Sequence, residues 1–411
     1  MLNKWISKFK KGAAKEKGAP SDINPSLFED KDQKDLLFIN RYTALDASSV
    51  QALHTVGVHF DDARMTYVLL KKEGEGVKLK SYKTLPLRRD AVVGSKIVEM
   101  DTVAATLLRL ARGFERYSRQ FVVSLPQNVV TLEYFSYDPK EDEETLEEAA
   151  EAQASRVASL DQIYFDFYVS EQDDEENDKA DEEAQPYNNV ILAIAKIEDV
   201  DSRIYLSEIT GLHLQYVDVG SIARQNAYSY WINNYAPEEE NDLIAVCDIG
   251  DLYTQITYSI HGRILHTSVI DIGARDLLES VPDFEDIDAE KAFSILRDDF
   301  DFTPYEEEVE TIENKLSHEI LRSVRVFYSQ NSEAQTDVTR MYLTGIGAKV
   351  LDMSALLEQV LEVPVEVLNP AAAAVPSDIA RGRVNHDAYD LTTAFGLALS
   401  CLLYTSPSPR D

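Results

Sequence analysis

The sequence predicts an α/β protein of two related lobes around a shared cleft, with a small subdomain inserted in the first lobe. Three observations predict it. The 411 residues exceed what one hydrophobic core usually supports. Residues 55–83 and 243–270 each read as three consecutive strands, and each set is followed by helix–strand units. Between the halves, residues 237–241 carry a proline and three glutamates, a boundary signal. Two such halves facing each other enclose a cleft, the usual place for a ligand.

The elements follow in chain order. In residues 1–20, Leu2, Trp5, Ile6 and Phe9 fall at the i, i+3, i+4, i+7 spacing of one helical face. Six lysines (4, 8, 10, 11, 15 and 17) oppose one acid, Glu16, so the segment carries six minus one, or +5. A basic amphipathic segment on an acidic protein points to anionic lipid, with Trp5, Ile6, Phe9, Lys4 and Lys8 as the contacts. A disordered tail, or a clamp on the acidic body, fits the same pattern. Residues 21–51 show little periodicity and read as a linker.

The first lobe spans 52–236. Strands are expected at 55–60, 65–70 and 77–83, then an amphipathic helix at 101–117 with Asp101 as its N-cap. The apolar run 121–125 reads as a buried strand. An inserted subdomain occupies about 127–196: strands at 129–135, 163–169 and 190–195, with a Glu/Ala-rich helix at 145–158. Residues 171–183 are almost wholly acidic and read as a solvated loop. A helix at 198–209, a strand at 214–217 and a helix at 221–235 complete the lobe. The second lobe spans 242–400, with strands at 243–247, 252–260 and 263–270 and helical segments at 274–280, 288–297 and 306–330. A strand at 340–344, a helix at 353–361, a strand at 365–368 and an apolar helix at 391–400 follow. Residues 401–411 resemble one reading frame of a sequencing-library adapter and are set aside from the fold.

Composition narrows the function. A formal charge of -33 argues against nucleic-acid binding, which needs basic surface. Cys247 and Cys401 are the only cysteines, too few for a disulfide framework. No apolar run approaches the roughly 18–20 residues of a membrane span, and no secretory leader pattern is present, which favours the cytoplasm.

The most informative stretch is Cys247-Asp248-Ile249-Gly250, a strand end running into a tight turn with Asp251 and Thr254. Gly250 permits close backbone approach to a phosphate, and Asp248 can hold a hydrated Mg²⁺ through one oxygen. Asp-x-Gly turns at strand ends also occur as plain hairpins. After the 340–344 strand, Gly345, Gly347 and Ala348 leave room for a purine, or form a routine strand-to-helix loop.

Several fragments, in order over about residues 52–400, resemble the PilM family, the actin-like cytoplasmic protein of type IV pilus machines and a relative of FtsA. They are Val122-Val123-Ser124-Leu125-Pro126, Gly211-Leu212 with Val217-Asp218-Val219, and Asp248-Ile249-Gly250 with Thr254. Ile272-Gly273-Ala274, Ile320-Leu321-Arg322-Ser323-Val324 with Phe327-Tyr328, and Leu343-Thr344-Gly345-Ile346-Gly347-Ala348 continue the series. The resemblance implies an actin-like, ribonuclease-H-like fold with ATP and Mg²⁺ in the interlobe cleft. It assigns nucleotide contacts to Asp248, Gly250, Asp251, Thr254, Gly273, Gly345, Gly347 and Ala348, and a ribose contact to Glu290. The family's lysine on that last helix falls on Phe293 here.

The first phosphate loop departs from the family pattern. His59 replaces an acid, and Asp61-Asp62-Ala63-Arg64 replaces a nest of small residues. Two carboxylates would repel a triphosphate unless Mg²⁺ lay between them, while Arg64 could meet a phosphate; the turn also reads as a plain hairpin. ATP binding is therefore expected to be weakened, and hydrolysis is not expected. The resemblance implies a scaffold at the inner membrane that binds the cytoplasmic tail of a PilN-like bitopic protein, joins other pilus-machine components and self-associates. The alternatives are an active actin-fold ATPase or sugar-kinase relative, or an FtsA-like division adaptor.

Overall fold

The computed structural model describes residues 54–404, apart from 75, 138–144, 170–189, 240–241, 261, 285–286, 299, 331–336 and 375–387. The basic N-terminal segment, the linker and the acidic stretch at 171–183 lie outside the described residues.

The two lobes are built on the same plan. In the first, β1 (His54–Phe60), β2 (Arg64–Glu73) and β3 (Gly76–Pro86) form an antiparallel meander. Then β6 (Gln120–Leu125) lies parallel to β1, and β10 (His213–Val219) parallel to β6, giving the order β10-β6-β1-β2-β3. In the second, β11 (Ile244–Ile249), β12 (Thr254–Ile260) and β13 (Arg263–Ile270) repeat the meander. There β14 (Arg340–Thr344) and β15 (Val365–Val367) take the two parallel positions, giving β15-β14-β11-β12-β13. The strands alternate β-branched and aromatic residues, which suit a pleated, packed surface.

Between β6 and β10 the chain makes a separate three-stranded sheet, β7 (Val130–Phe135), β9 (Val190–Lys196) and β8 (Ile163–Val169), with β9 in the centre. Helix α2 (Leu146–Val157) covers it through Ala150 and Ala154 and opens on a capping box made by Thr145 and Glu148. A short hairpin, β4 (Val92–Val93) with β5 (Lys96–Ile97), has no counterpart in the sequence reading. Its turn residues Gly94 and Ser95 both sit at positive φ, and the buried Arg203 donates to the Ser95 carbonyl at 2.7 Å.

Helices α1 (Met100–Ala111) and α3 (Ile197–Thr210) pack on one face of the first sheet. Helix α1 stops six residues short of the expected 117, and Asp101 lies in its first turn, with Glu99 at the N-cap. Beyond it the Gly113 backbone sits against the Tyr67 ring and Phe114 turns into the core, which ends the helical path. Helix α4 (Gly220–Tyr235) has apolar or aromatic residues all round, as a helix covered on several sides should. Its Ala223 and Ala227 face the first sheet, and Tyr228 and Ile232 face the second.

On the second sheet lie α5 (Ala274–Ser280), α6 (Ala289–Arg297), the long α7 (Glu306–Gln330), α8 (Ile346–Val350) and α9 (Ser354–Leu361). The last helix, α10 (Thr392–Tyr404), does not close the second lobe. It returns to the first, packing on β1, β2, β6 and α4, so the apolar stretch 391–400 belongs to the opposite lobe from the one expected. It also runs four residues into the stretch set aside from 401. Among the described residues no helix is long and apolar enough to cross a membrane.

Candidate functional site: the interlobe cleft

Parallel strands β11 and β14 run side by side with Asp248 opposite Thr344, so the turns that follow them emerge together at the C-terminal edge of the sheet. That edge is where open α/β sheets place ligands. The β1–β2 turn and the start of α4, both from the first lobe, face it, and residues 389–393 close one side. The cleft so formed is lined by Asp61, Arg64, Asp248, Gly250, Asp251 and Gly345. It is also lined by His59 and Asp62, which the sequence placed in the first phosphate loop, and by residues that the sequence did not single out, chiefly Arg224, Tyr253, Asp390 and Thr393.

The chain fills much of this cleft itself. Asp61 Oδ1 accepts from the amides of Ala63 and Arg64, both at 2.9 Å. These are the backbone donors a phosphate would use in a β-hairpin nest, and they already hold an anion. Asp62 turns away and accepts from the amides of Gly94 and Ser95, at 2.5 and 2.8 Å, fixing the β4–β5 hairpin; burial raises its pKa. Arg64 lies 3.3 Å from Asp390 and 3.5 Å from Asp61. Burial opposes its charge, but Asp390 and Asp61 outweigh it and keep the guanidinium protonated. His59 Nδ1 is 2.7 Å from Ser124 Oγ, and burial pushes its pKa down to about 4, so the ring is neutral at pH 7.

On the opposite wall, Asp248 is held at 3.0 Å by Arg224 of α4. The same guanidinium donates to Gln255 Oε1 and, at 3.2 Å, to Thr393 Oγ1. Asp251 is buried, and Arg275 reaches it at 2.6 Å; burial raises its pKa against the pull of Arg275. Gly250 donates its amide to the Tyr253 carbonyl at 3.0 Å, closing the turn on itself. Thr254 was expected to contact phosphate, but its hydroxyl donates to the Ile272 carbonyl at 2.8 Å and the residue is fully buried.

Of the remaining residues assigned from the resemblance, Gly345 lines the cleft, and Gly273, Glu290, Gly347 and Ala348 lie away from its lining. Gly273 packs over the Asp251 carbonyl, and Glu290 is exposed in the first turn of α6. Gly345, at φ +85°, and Gly347 are required by close approach: a Cβ would come within 2.3 Å of Asp248 Oδ1 and 2.4 Å of the Ile249 carbonyl at the first, and 2.2 Å of Ile249 Cγ2 at the second. Ala348 is buried in the core beneath α8. The glycine pattern there serves the contact of α8 with β11.

These residues do not fit a Mg²⁺–nucleoside triphosphate as they stand. The cavity holds about 40 Å³, against the roughly 300–1,000 Å³ of ligand pockets. Five carboxylates line it against two guanidiniums, and the acid best placed to order a hydrated cation is already ion-paired. Opposite charge from within the chain stands where cation and phosphate would stand.

A family model described as type IV pilus assembly protein PilM matches residues 57–402. A solved "PilM-PilN type IV pilus biogenesis complex" is similar in structure, at 20% identity and TM-score 0.69, over 86% of this chain and 99% of that one. Ethanolamine utilization protein EutJ from Carboxydothermus hydrogenoformans matches at 16% identity and TM-score 0.49, over 89% of this chain and 94% of that one. MreB 5 of Spiroplasma citri, solved bound to AMPPNP, matches at 9% identity and TM-score 0.41, over 86% and 94%. The fold is actin-like.

Proposed function

From the premise that this chain belongs to the type IV pilus assembly protein PilM family, we propose that it acts as a cytoplasmic scaffold of the pilus machine, apposed to the inner membrane. Its partner is the short cytoplasmic tail of a PilN-like bitopic protein, lying in a groove beside the inserted β7–β9–β8 subdomain. Among the described residues the outer strands of that small sheet, β7 and β8, each pair with a strand on one side, and extended peptides bind by lying in a groove or adding to a sheet edge. Contact of the basic N-terminal segment with anionic lipid, and self-association, belong to the same reading.

The observation that carries a scaffold over an enzyme is the cleft closed by its own side chains. ATP with Mg²⁺ would have to displace Arg224 from Asp248 and free the amides that Asp61 occupies, so binding is weakened. Among the described residues of the cleft, Asp61 and Asp62 are held by backbone amides and Asp248, Asp251 and Asp390 by guanidiniums, which disfavours a general base there.

The test is a titration of the fluorescently labelled tail peptide of the neighbouring bitopic membrane protein, run beside an ATP-turnover assay. Saturable peptide binding that is lost when β8 is disrupted by Phe165→Pro, with turnover at background, is the expected result. Absence of peptide binding by the unaltered protein, or turnover well above background with dependence on a sugar acceptor, overturns the scaffold role.

A further inference from the structure

The protein is acidic, but one end of its first lobe is basic. Strand β1 runs from His54 to the turn that faces the cleft, so His54 marks the opposite end of the lobe, roughly 20 Å away. Several stretches meet there. His54 pairs with Lys71 at the end of β2, and Lys71 with Lys78 at the start of β3. The chain leaving α1 packs alongside, with the Tyr117 ring 5.3 Å from the ring of His54. Arg119 then donates to the Gly211 carbonyl at 2.9 Å, which brings the end of α3 to the same place. Residues 71–80, 109–119 and 208–213 make up this end. They hold eight lysines and arginines against four glutamates, eight minus four, or +4, in a chain of -33.

These cations are not neutralised from within. Among the described residues Lys71, Lys78, Lys80, Arg109, Arg112 and Arg116 have no carboxylate partner, whereas Arg88 and Lys96 of the same lobe pair with Glu99 and Glu198. Their field reaches His54, whose pKa is lowered by burial and then by Lys71 and Lys80. Like charges gathered on one end repel each other, a cost that an anionic surface facing them offsets. Apolar groups stand among them. Leu108 on α1, Tyr117 beyond it, and Tyr205 and Ile209 on α3 are 39% to 49% exposed. The Arg116 guanidinium lies over the Tyr117 ring, 4.7 Å from its centroid. Cations interleaved with tyrosine and aliphatic side chains suit the interfacial zone of a bilayer, where charged tips stay wet and stems sink. Continuity along the chain points the same way. The basic amphipathic segment at 1–20 joins the fold through residues 21–53 at His54, so it is tethered to the basic end.

We propose that this end of the first lobe docks on an anionic bilayer, with Lys80, Arg109, Arg112 and Arg116 over the lipid phosphates and Tyr117 at headgroup level. Guanidinium and ammonium groups attract the headgroup phosphates, and the exposed tyrosines and aliphatic groups give the contact its apolar part. The proposal rests on the membrane-apposed reading above and adds a contact made by the folded body to that of the N-terminal segment. Two contacts on one surface reinforce each other, because binding of the first raises the effective concentration of the second.

The test is co-sedimentation of the whole chain with phosphatidylcholine vesicles, with and without phosphatidylglycerol, at low and high salt. Binding to the anionic vesicles alone, weakened by salt, is expected. Arg112→Glu with Arg116→Glu lowers it at least about tenfold, and Tyr117→Ala lowers it several-fold. Arg322→Glu with Arg325→Glu makes the same charge change on exposed positions of α7 and leaves binding within about twofold. In a chain whose N-terminal segment is disabled by Lys4→Glu and Lys8→Glu, weaker anionic-vesicle binding remains, and Arg112→Glu with Arg116→Glu abolishes it. Circular dichroism checks each fold; Arg112→Gln with Arg116→Gln, with a smaller loss in the same direction, decides the matter if the glutamate pair does not fold. Four results overturn the proposal: no effect of the Arg112 and Arg116 changes, equal loss with the α7 pair, complete loss with the N-terminal pair alone, or equal affinity of the parent chain for duplex DNA. So does a sedimentation-velocity result in which the Arg112 and Arg116 changes break self-association and leave vesicle binding intact, since this end is then a contact between copies. Capture of the membrane-protein tail is read by the peptide titration, so tail binding without vesicle binding sinks this proposal alone.

Discussion

Asp61 shows how one side chain settles what a loop does. The same two amides that a phosphate would need are bound by the carboxylate two residues earlier in the turn, and sequence spacing does not reveal where that carboxylate points. Two other single residues set the pH response. Asp218 accepts from the Val219 amide at 2.7 Å and from Ser400 at 3.2 Å, yet burial raises its pKa to about 6. A carboxyl raised in this way contributes stability that is full below its unfolded value near 4 and is lost as pH rises through 6. His59 runs the other way: its folded pKa of about 4 lies below the ordinary 6.5, so its contribution is present above pH 6.5 and is lost as pH falls through 4. Between pH 4 and 6 the two oppose each other. Asp218→Asn should therefore gain about 2 kcal/mol at pH 7.5 relative to pH 4, and His59→Gln should lose part of the acid sensitivity. Urea unfolding across that pH range reads both; a pH-independent difference between Asp218→Asn and the parent chain would refute the assignment.

At the scale of elements, α10 and α4 hold the molecule together. Gly396 of α10 lies so close to α4 that a Cβ there would stand 1.7 Å from the Ala223 carbonyl. On its other side the helix meets β1, where Thr55 donates to the Ala398 carbonyl at 2.8 Å. Around these contacts lies an apolar cluster of Val68, Leu70, Leu79, Ala227, Phe395 and Leu399. Gly396→Val forces the two helices apart and should cost about 3 kcal/mol, with loss of cooperative unfolding in the first lobe while the second retains its own. Hydrogen exchange would read this as faster exchange in β1 and β2 than in β11 and β12. Uniform loosening of both lobes would show that α10 is not the element that completes the first. The assignment of 391–400 to the second lobe failed because helical periodicity reports that a face is buried, not which sheet buries it. The β4–β5 hairpin was missed for a related reason: its strands are two residues long, too short for any period to register.

For the molecule as a whole, the pair of Arg224 and Asp248 joins the lobes across the cleft, beside the apolar contact of α4 with the second sheet. Arg224 and Asp248 are mostly buried, with side chains 7% and 19% exposed, and each leaves an uncompensated charge if the other is removed. Breaking such a pair costs about 3–5 kcal/mol. Arg224→Ala should open the lobes, seen as a larger radius of gyration by solution scattering, and should bind Mg²⁺–ATP more tightly than the parent chain. A variant equally closed and no better at binding ATP would mean that the cleft is shut by its apolar rim instead.

The sequence by itself determined the repeated meander, the helix–strand units, the inserted three-stranded subdomain and the strand-end position of Asp248. Alternation, capping residues and turn chemistry are local, and local order along the chain is enough to read them. The juxtaposition of the turns after Asp248 and Thr344 was also legible, because parallel neighbours in such a sheet end at the same edge. Only the tertiary structure decided that Arg224 caps Asp248, that Thr254 turns to Ile272, that Gly345 and Gly347 serve Ile249, and that the final helix crosses back to the first lobe. Each depends on which side chain arrives from tens or hundreds of residues away, and electrostatic pairing and steric contact act over a few ångströms in space regardless of distance along the chain.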